Sequence, residues 1–225
     1  LNSPGAAGLP LAERVFMITL HHLNASRSLR ILWLLEEIGE PYTLIRYQRD
    51  PVTRLAPASL KNIHPLGKSP VIELDAQVLV ESGAIVEYLI RRFAPRLEPA
   101  FNSPDYLQYL QWIHFAESSA MVPVLLKLFT QFEINAGTQL KFLDGYTQAE
   151  FDKVLGFLDG VLANRTFIVG DTLSGADFML AFVAITVVEQ MRGGAQYPHL
   201  QAYLQRLAAL DSWKRALKLE SQLDQ

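Results

Sequence analysis

Residues 65–82 read PLGKSPVIELDAQVLVES, and this stretch decides how the first part of the chain folds. Two short apolar runs, Val71–Leu74 and Gln77–Val80, are separated by a two-residue turn, which predicts a β-hairpin. Glu81 and Ser82 then stand at the head of a segment with helical periodicity. The hairpin and the helix start should bring free backbone polar groups, a carboxylate and a hydroxyl into one small cleft.

The segments before the hairpin alternate between strand and helix patterns. They predict strands over 15–21 and 42–46, a helix over 24–38 that ends at Gly39, and a short helix over 57–62. With the hairpin and the helix that follows it, the element order is βαβαββα. Interleaved strands and helices indicate an α/β sheet with one antiparallel edge, as in thioredoxin-like domains.

Three prolines within residues 95–104 prevent a continuous helix there, so this segment is interpreted as a linker. It divides a thioredoxin-like domain, 15–94, from an all-α domain, 105–225. Residues 1–14 read as a flexible leader or an expression remnant. The fold class is therefore a thioredoxin-like α/β domain followed by an all-α helical domain.

Two apolar segments of the second domain predict long helices. Residues 105–132 have helical periodicity, and Pro123 within them should produce a kink. Residues 176–188 are the most apolar run of the chain, but they are too few to span a bilayer and are flanked by Asp177 and Glu189. This run is interpreted as a buried core helix.

Two reciprocal capping patterns predict where further helices begin. Thr147 is followed three residues later by Glu150, and Ser174 is followed three residues later by Asp177. In such a pair, each side chain bonds the backbone N–H of the other residue. Both pairs therefore predict helix N-termini, and losing one such cap costs about 1 kcal/mol.

Composition excludes several classes of protein. The net charge is −3 across 225 residues, with no block of like charges, which argues against nucleic-acid binding. There is no cysteine, so disulfides, thiolate metal sites and a cysteine nucleophile are impossible. The pair His21-His22 lacks partners at metal-ligand spacing, so no metal site is expected. A cysteine-free chain suits a cytoplasmic protein.

Three short motifs carry a resemblance to a known family. They are Ser69-Pro70, Glu81-Ser82 and the capping pair of Ser174 with Asp177, each on the expected element. In this order, and over about 15–219, the chain resembles cytosolic glutathione S-transferases. The sequences of segments 23–28 and 64–70 resemble those of the serine-type branch found in bacteria and fungi.

The resemblance implies that the protein activates the thiol of glutathione. A thiol is mostly protonated at pH 7, whereas the thiolate is the nucleophile. Lowering its pKa by about two units requires roughly 2.7 kcal/mol of preferential stabilisation. Ser26 is the candidate hydroxyl donor, with Asn24 as the second candidate, and a helix N-terminus beside them would add to the effect. Ser26 could instead be a plain N-cap.

The resemblance also assigns the peptide part of glutathione to the opening stretch. Pro70 would be a cis-proline, leaving Ser69 to pair with the cysteinyl backbone as an added strand would. Glu81 would bind the γ-glutamyl ammonium, and Ser82 with the helix N-terminus would bind its carboxylate. Lys68 could meet the glycine carboxylate. The alternatives are that Pro70 is a trans proline that starts an edge strand, that Ser82 only caps the helix, and that Glu81 and Lys68 are solvated.

A second substrate should lie between the two domains. His114, Glu117, Ser118 and Met121 share one face of the long helix by three- and four-residue spacing, and Leu23, before the first helix, is added to them. These residues are the predicted pocket for a hydrophobic electrophile. A histidine at such a position is more often structural than catalytic, and this alternative stays open for His114.

The leading hypothesis is therefore a glutathione transferase of the conjugating type, with glutathione as co-substrate and no metal. Two alternatives stay open. One is a glutathione-dependent peroxidase, and the other is a non-catalytic interaction or ligand-binding protein of the same fold. The resemblance implies a cytoplasmic homodimer with a role in detoxification, and neither a nucleic acid nor a membrane is expected as a partner.

Overall fold

In the computed structural model, which describes residues 17–190 and 194–222, a four-stranded mixed sheet is followed by helices. The strand order is β2-β1-β3-β4, with β1 parallel to β2 and the other neighbours antiparallel. The predicted leader, 1–14, lies outside the described residues. The strands are β1 (Ile18–Leu23), β2 (Tyr42–Tyr47), β3 (Val71–Leu74) and β4 (Gln77–Val80).

The hairpin has the predicted bounds, and the helix after it starts where predicted. Asp75 and Ala76 between β3 and β4 both have positive φ angles, +50° and +65°. Two left-handed residues in succession give a turn whose twist suits a two-residue hairpin. Helix α2 then covers Ser82–Phe93. The predicted thioredoxin-like fold of this part of the chain, followed by an all-α part, is confirmed.

The first helix starts later than predicted. Helix α1 covers Ser28–Ile38 instead of 24–38. Ala25 has a left-handed φ of +47°, and the Asn24 side chain accepts a hydrogen bond of 2.8 Å from the Arg49 N–H. A side chain that bonds nearby backbone competes with helix formation. Residues 24–27 therefore form a turn that carries the chain from β1 into α1. The predicted helix at 57–62 is a 3₁₀ helix, Ala58–Asn62.

The predicted helix over 105–132 is divided. Helix α3 (Pro104–Phe115) leads through a π-helical turn, Ala116–Ala120, into α4 (Met121–Asn135). Pro123 has no N–H with which to continue the α-helical ladder. A wider π turn just before it accommodates that missing donor, and such turns are frequent at functional sites.

One of the two predicted helix starts is wrong and the other is confirmed. Thr147 is buried inside α5 (Lys141–Leu162), where its hydroxyl donates to the Asp144 carbonyl. Helix α6 (Gly175–Ile185) does begin at the predicted capping box. Every residue of α6 is buried, as predicted for the apolar run, and a π turn, Thr186–Gln190, extends it.

The last two helices return to the first. These are α7 (Pro198–Ala209) and α8 (Asp211–Ser221). Trp33 of α1 is fully buried, with its ring centroid 4.1 Å from Phe178 of α6 and 4.8 Å from Trp213 of α8. Its indole N–H donates to the Ser212 hydroxyl at 3.1 Å. This aromatic contact fixes α1, and the turn before it, against the helical part of the chain.

Within the residues that the structure describes, none of the helices combines the length and the apolar character needed to cross a bilayer.

Candidate functional site

The turn between β1 and α1 buries the Ser26 hydroxyl. Ser26 is 5% exposed, and its Oγ donates to the Leu23 carbonyl at 2.8 Å while accepting from the Ser28 N–H at 3.2 Å. The backbone N–H groups of Ser26 and Arg27 have no acceptor among the described residues. The start of α1 therefore presents two free donors beside a hydroxyl, which is a suitable environment for an anion.

A buried chain of polar side chains leads away from Ser26. Its Oγ lies 2.8 Å from the Ser28 Oγ, which in turn lies 2.8 Å from Nδ1 of His22. The other ring nitrogen of His22 contacts the Glu220 carboxylate at the end of α8. The second oxygen of Glu220 accepts the Ala25 N–H at 2.9 Å. Helix α8 thus holds the turn by two contacts.

Asn24, the second candidate donor, has its side chain engaged elsewhere. Its Oδ1 accepts from the Arg49 N–H, and its carbonyl accepts from the Arg49 Nε at 3.2 Å. The guanidinium of Arg49 also donates to the Ala25 carbonyl. Burial, followed by repulsion from Arg54 and Arg27, lowers the pKa of Arg49. The guanidinium groups of Arg27 and Arg49 are therefore two cations beside the turn.

An ion-pair cluster joins α1 to the π turn after α3. Glu117 accepts from Arg27 at 2.9 Å and also contacts the fully buried Arg30. Arg30 donates to the Ser82 hydroxyl at 3.1 Å, and its guanidinium lies over the Phe182 ring, 5.4 Å from the centroid. Burial lowers the pKa of Arg30, and Glu117 opposes that shift. The cluster connects the starts of α1 and α2.

The Ser69–Pro70 peptide bond is cis, as predicted. The Ser69 hydroxyl donates to the His21 carbonyl of β1 at 2.9 Å. Ser69 and Ser26 are therefore both anchored to carbonyls near the end of β1, two residues apart. Lys68 is exposed, and its ammonium has no ion-pair partner within the described part of the chain.

The head of α2 places Glu81 and Ser82 differently. Glu81 is exposed and adopts φ +71°, a conformation that costs a non-glycine residue about 1–3 kcal/mol. Ser82 is buried and accepts from Arg30. The arrangement leaves the Glu81 carboxylate at the surface, directly before the N–H groups of the first turn of α2.

The predicted electrophile residues do not share one surface. His114 is exposed, Glu117 is paired with two arginines, and Leu23 and Met121 are 2% and 1% exposed. Leu23 is the last residue of β1, where its carbonyl accepts from Ser26, and Met121 belongs to the hydrophobic core. Of these four, His114 is the most accessible to a ligand.

A cavity of about 530 Å³ lies against other residues, between the π turn and the start of α4 on one side and α5 on the other. Of the helix face predicted for the electrophile, Ser118 lines this cavity, whereas His114, Glu117 and Met121 do not, nor does Leu23. Its walls are mainly apolar, with one ion pair between Glu150 and Lys153 at the rim. The lining residues are Phe115, Ser118, Ser119, Val122, Pro123, Leu126, Tyr146, Glu150, Lys153, Val154 and Phe157.

Sequence reasoning missed the charged residues around the turn: His22, Arg27, Arg30, Arg49 and Glu220. His22 in β1 and Arg30 in α1 interrupt otherwise apolar elements. Such residues signal buried polar partners, because buried charge is nearly always paired. The partners themselves could not be read from spacing. No group of three or more metal-ligating side chains suited to a metal ion is found in ranges 17–190 and 194–222.

Two sequence-family models match the chain. The glutathione S-transferase N-terminal domain matches residues 16–91, and the glutathione S-transferase C-terminal domain matches residues 121–211. The first covers the sheet, α1 and most of α2. The second covers α4 to α7 and the first residue of α8.

Curated relatives agree with these models. Glutathione S-transferase 3 of Schizosaccharomyces pombe is 30% identical, over 84% of this chain and 81% of its own length. Glutathione S-transferase 1 of Saccharomyces cerevisiae is 26% identical, over 88% and 92%. Elongation factor 1-gamma-B of Xenopus laevis is 32% identical over 62% of this chain, but over only 31% of its own length.

Solved structures share the fold over nearly the whole chain. A glutathione S-transferase from Actinobacillus pleuropneumoniae is 33% identical, with a TM-score of 0.80 over 91% of this chain and 93% of its own. A sphingomonad glutathione S-transferase complexed with glutathione is 25% identical, with a TM-score of 0.73 over 90% and 98%.

Proposed function

Because this chain belongs to the glutathione S-transferase family, we propose that it activates the glutathione thiol and transfers the tripeptide to a hydrophobic electrophile. The observation that carries this proposal is the β1–α1 turn. There the Ser26 hydroxyl lies beside the free N–H groups of Ser26 and Arg27, with Arg27 and Arg49 nearby. Hydroxyl, backbone donors and cations all stabilise a thiolate relative to a thiol.

We assign the peptide part of glutathione to the surface that runs from Lys68 to Ser82. Ser69 is bonded to β1, so its backbone would pair with the cysteinyl unit close to the turn. Exposed Glu81 suits the γ-glutamyl ammonium, and the start of α2 suits the carboxylate. The unpaired ammonium of Lys68 suits the glycine carboxylate. A relative complexed with glutathione supports the choice of ligand.

Ser26 is the proposed thiolate donor, as in a serine-type enzyme. Its hydroxyl donates to the Leu23 carbonyl, so binding would require the hydroxyl to exchange that acceptor for the sulfur. Asn24 is the less favoured donor, because Arg49 already occupies its side-chain oxygen. For the electrophile, we propose the surface around exposed His114, three residues before Glu117, whose carboxylate pairs with Arg27 of the β1–α1 turn.

The test compares Ser26→Ala with Asn24→Ala in the conjugation of an activated aryl halide across pH. Since one pKa unit corresponds to 1.36 kcal/mol, we expect Ser26→Ala to lose about tenfold or more in turnover at neutral pH. Its pH profile should shift upward by about one unit, whereas Asn24→Ala should change little. An unchanged profile for Ser26→Ala would assign activation to the backbone donors or to Asn24.

Retention on immobilised glutathione separates the other functions. Binding together with turnover of a hydroperoxide, and none of an aryl halide, would favour a peroxidase. Binding without any turnover would favour a ligand-binding protein. Failure to bind glutathione would favour an interaction module, a role suggested by the similarity to elongation factor 1-gamma-B. We also propose a cytoplasmic homodimer, which gel filtration and cell fractionation would check.

A further inference from the structure

We propose that His22 and Glu220 are positioning residues that set the direction in which the Ser26 hydroxyl donates. This inference rests on the proposed role of Ser26 in thiol activation. It extends that role to a residue of the last helix, 194 positions away in the sequence. The contacts that carry it form one continuous chain from Glu220 through His22 and Ser28 to Ser26.

The chain is shielded from water along most of its length. His22 and Ser28 are 0% exposed and Ser26 is 5% exposed, while the Glu220 side chain is 19% exposed. In such surroundings, a hydrogen bond left unmade is costly, so each proton is committed to a partner. The direction of each bond therefore follows from the number of protons that each group carries.

The direction can be deduced from the Glu220 end. A carboxylate only accepts, so the proton on this side belongs to Nε2 of His22. In the neutral ring Nδ1 is then the acceptor, and the Ser28 hydroxyl donates its single proton to it. The Ser28 oxygen already accepts the Leu23 N–H at 3.1 Å. Ser28 is thus not available as a donor to Ser26 or to the Leu23 carbonyl.

This arrangement leaves Ser26 as the donor of the pair. The two serine hydroxyls lie 2.8 Å and 3.1 Å from the same Leu23 carbonyl, so they would otherwise compete for it. With the Ser28 proton held by His22, the Ser26 hydroxyl is the one that donates to the Leu23 carbonyl and can turn from it to a sulfur. A thiolate arriving at the turn meets one hydroxyl proton in a fixed place, rather than two that alternate.

Glu220 also fixes the backbone of the turn. Its Oε1 accepts the Ala25 N–H at 2.9 Å, and Ala25 is in the left-handed conformation. The charged groups near this face include Arg49, which donates to the Ala25 carbonyl, and Arg46, which stands opposite His22 in the β1–β2 register and donates to Gln222, just after α8, at 3.3 Å. Glu220 therefore serves two donors at once, one from each of its oxygens.

Glu220→Gln is the sharpest variant, because glutamine has the same shape but one acceptor oxygen for two donors. Formation of bound thiolate is followed by its ultraviolet absorbance as a function of pH, in parallel with kcat and KM for glutathione. We expect the apparent pKa of the bound thiol to rise by about one unit and kcat at neutral pH to fall about tenfold. KM for glutathione should stay within about twofold, because Glu81, Ser82 and Lys68 are unaffected.

Two further variants keep the result interpretable. His22→Gln should reproduce the shift of Glu220→Gln, and the double variant should add little to either change. Asp211→Asn, at the other end of α8 and paired with Lys214 of its own helix, is the matched control and should behave as wild type.

The outcomes separate this inference from the proposed function. If wild type forms bound thiolate and Glu220→Gln does so with the same pH profile, the inference is overturned and the proposed function stands. A rise in KM alone would also overturn it, because it would show a role in binding only. If wild type forms no bound thiolate, the proposed function itself fails, and this inference with it.

Discussion

The Arg30 guanidinium on α1 donates a hydrogen bond of 3.1 Å to the Ser82 hydroxyl at the first residue of α2. Arg30 is buried, and its Nε and second terminal nitrogen have no partner among the described residues. The same guanidinium contacts Glu117. The thiol-activating turn and the γ-glutamyl site proposed above are therefore connected by one buried cation whose counter-charge is Glu117.

Removing that counter-charge should destabilise the fold. Breaking one side of a buried ion pair costs about 3–5 kcal/mol, and because Glu117 is one-third exposed we expect about 2 kcal/mol for Glu117→Gln. KM for glutathione should rise as well, since Arg30 would no longer hold Ser82 in place. Urea denaturation and steady-state kinetics measure the two effects.

Glu150→Gln is the control for this substitution. Glu150 pairs with Lys153, which is 69% exposed on α5, so its loss should leave both measurements unchanged. Equal unfolding midpoints for Glu117→Gln and wild type would show that Arg30 does not need the pair.

The strained backbone of Glu81 predicts opposite effects on stability and binding. Glu81→Gly removes a side chain from φ +71°, and we expect the free energy of unfolding to rise by about 1 kcal/mol after the entropy cost of glycine. Because the ammonium partner is lost, KM for glutathione should rise about tenfold, equivalent to about 1.4 kcal/mol. Thermal unfolding and glutathione titration test both.

Ala76→Gly is the matched control for backbone strain, because Ala76 has φ +65° in the turn between β3 and β4. It should stabilise the protein without changing KM. If Glu81→Gly bound glutathione as wild type does, the ammonium would have to be bound by another group.

Much of the fold could be predicted because its signals are local. The hairpin bounds, α2 and the Ser174 capping box each depend on residues within a few positions of one another. In the candidate site, Ser69 and Glu81 could be proposed for the same reason, since each belongs to a short motif. The cis bond at Ser69 followed from the family resemblance rather than from periodicity.

The parts that were missed depend on distant partners. Ala25 adopts a left-handed conformation whose N–H is held by Glu220, 195 residues away, so no local pattern reports the late start of α1. Pro123 lacks the backbone N–H of an ordinary helical residue. Whether the helix responds with a kink or with a π turn depends on the surrounding packing, which local sequence does not report. Thr147 satisfies a capping pattern but lies within α5, because burial on a helix face outweighs a cap.

Gly175, the first residue of α6, allows three helices to approach closely. A Cβ placed there would lie 2.6 Å from the Tyr109 hydroxyl of α3 and 2.8 Å from Ile90 Cδ1 of α2. Gly175→Ala should therefore destabilise the protein by about 1–3 kcal/mol through overpacking. Gly156→Ala, on α5 with no atom within 4 Å, should instead stabilise it by up to about 1 kcal/mol. If both substitutions changed the free energy of unfolding in the same direction, close packing at Gly175 would not explain its effect.

The capping box of α6 should make stability depend on pH in a defined window. Asp177 is fully buried and accepts from the Ile168 N–H, from the N–H and hydroxyl of Ser174 and from the Tyr203 hydroxyl, at 2.8–3.1 Å. Burial nevertheless raises the pKa of its carboxyl from 3.8 to about 6. Between these values the folded protein holds a proton that the unfolded chain has released.

The sign of the effect follows from this difference in bound protons. The stabilisation from the raised pKa is complete below about pH 4 and is lost as pH rises towards 6, so wild type gains relative to a non-titrating variant on acidification. Asp177→Asn is that variant. The difference in unfolding free energy between the two should change by about 2.4 kcal/mol from pH 7 to pH 4, in favour of wild type. Urea denaturation at intervals of pH measures it.

A matched variant controls for changes elsewhere in the protein. Asp171→Asn makes the same chemical change on the exposed loop before α6, where the carboxylate accepts, among the described residues, only from the Thr166 hydroxyl. When each variant is compared with wild type, the groups that titrate in both proteins cancel. Any remaining pH dependence of the difference in unfolding free energy therefore belongs to the substituted carboxyl. Parallel curves for wild type and Asp177→Asn between pH 4 and 7 would mean that the four donors, rather than burial, dominate the protonation of Asp177.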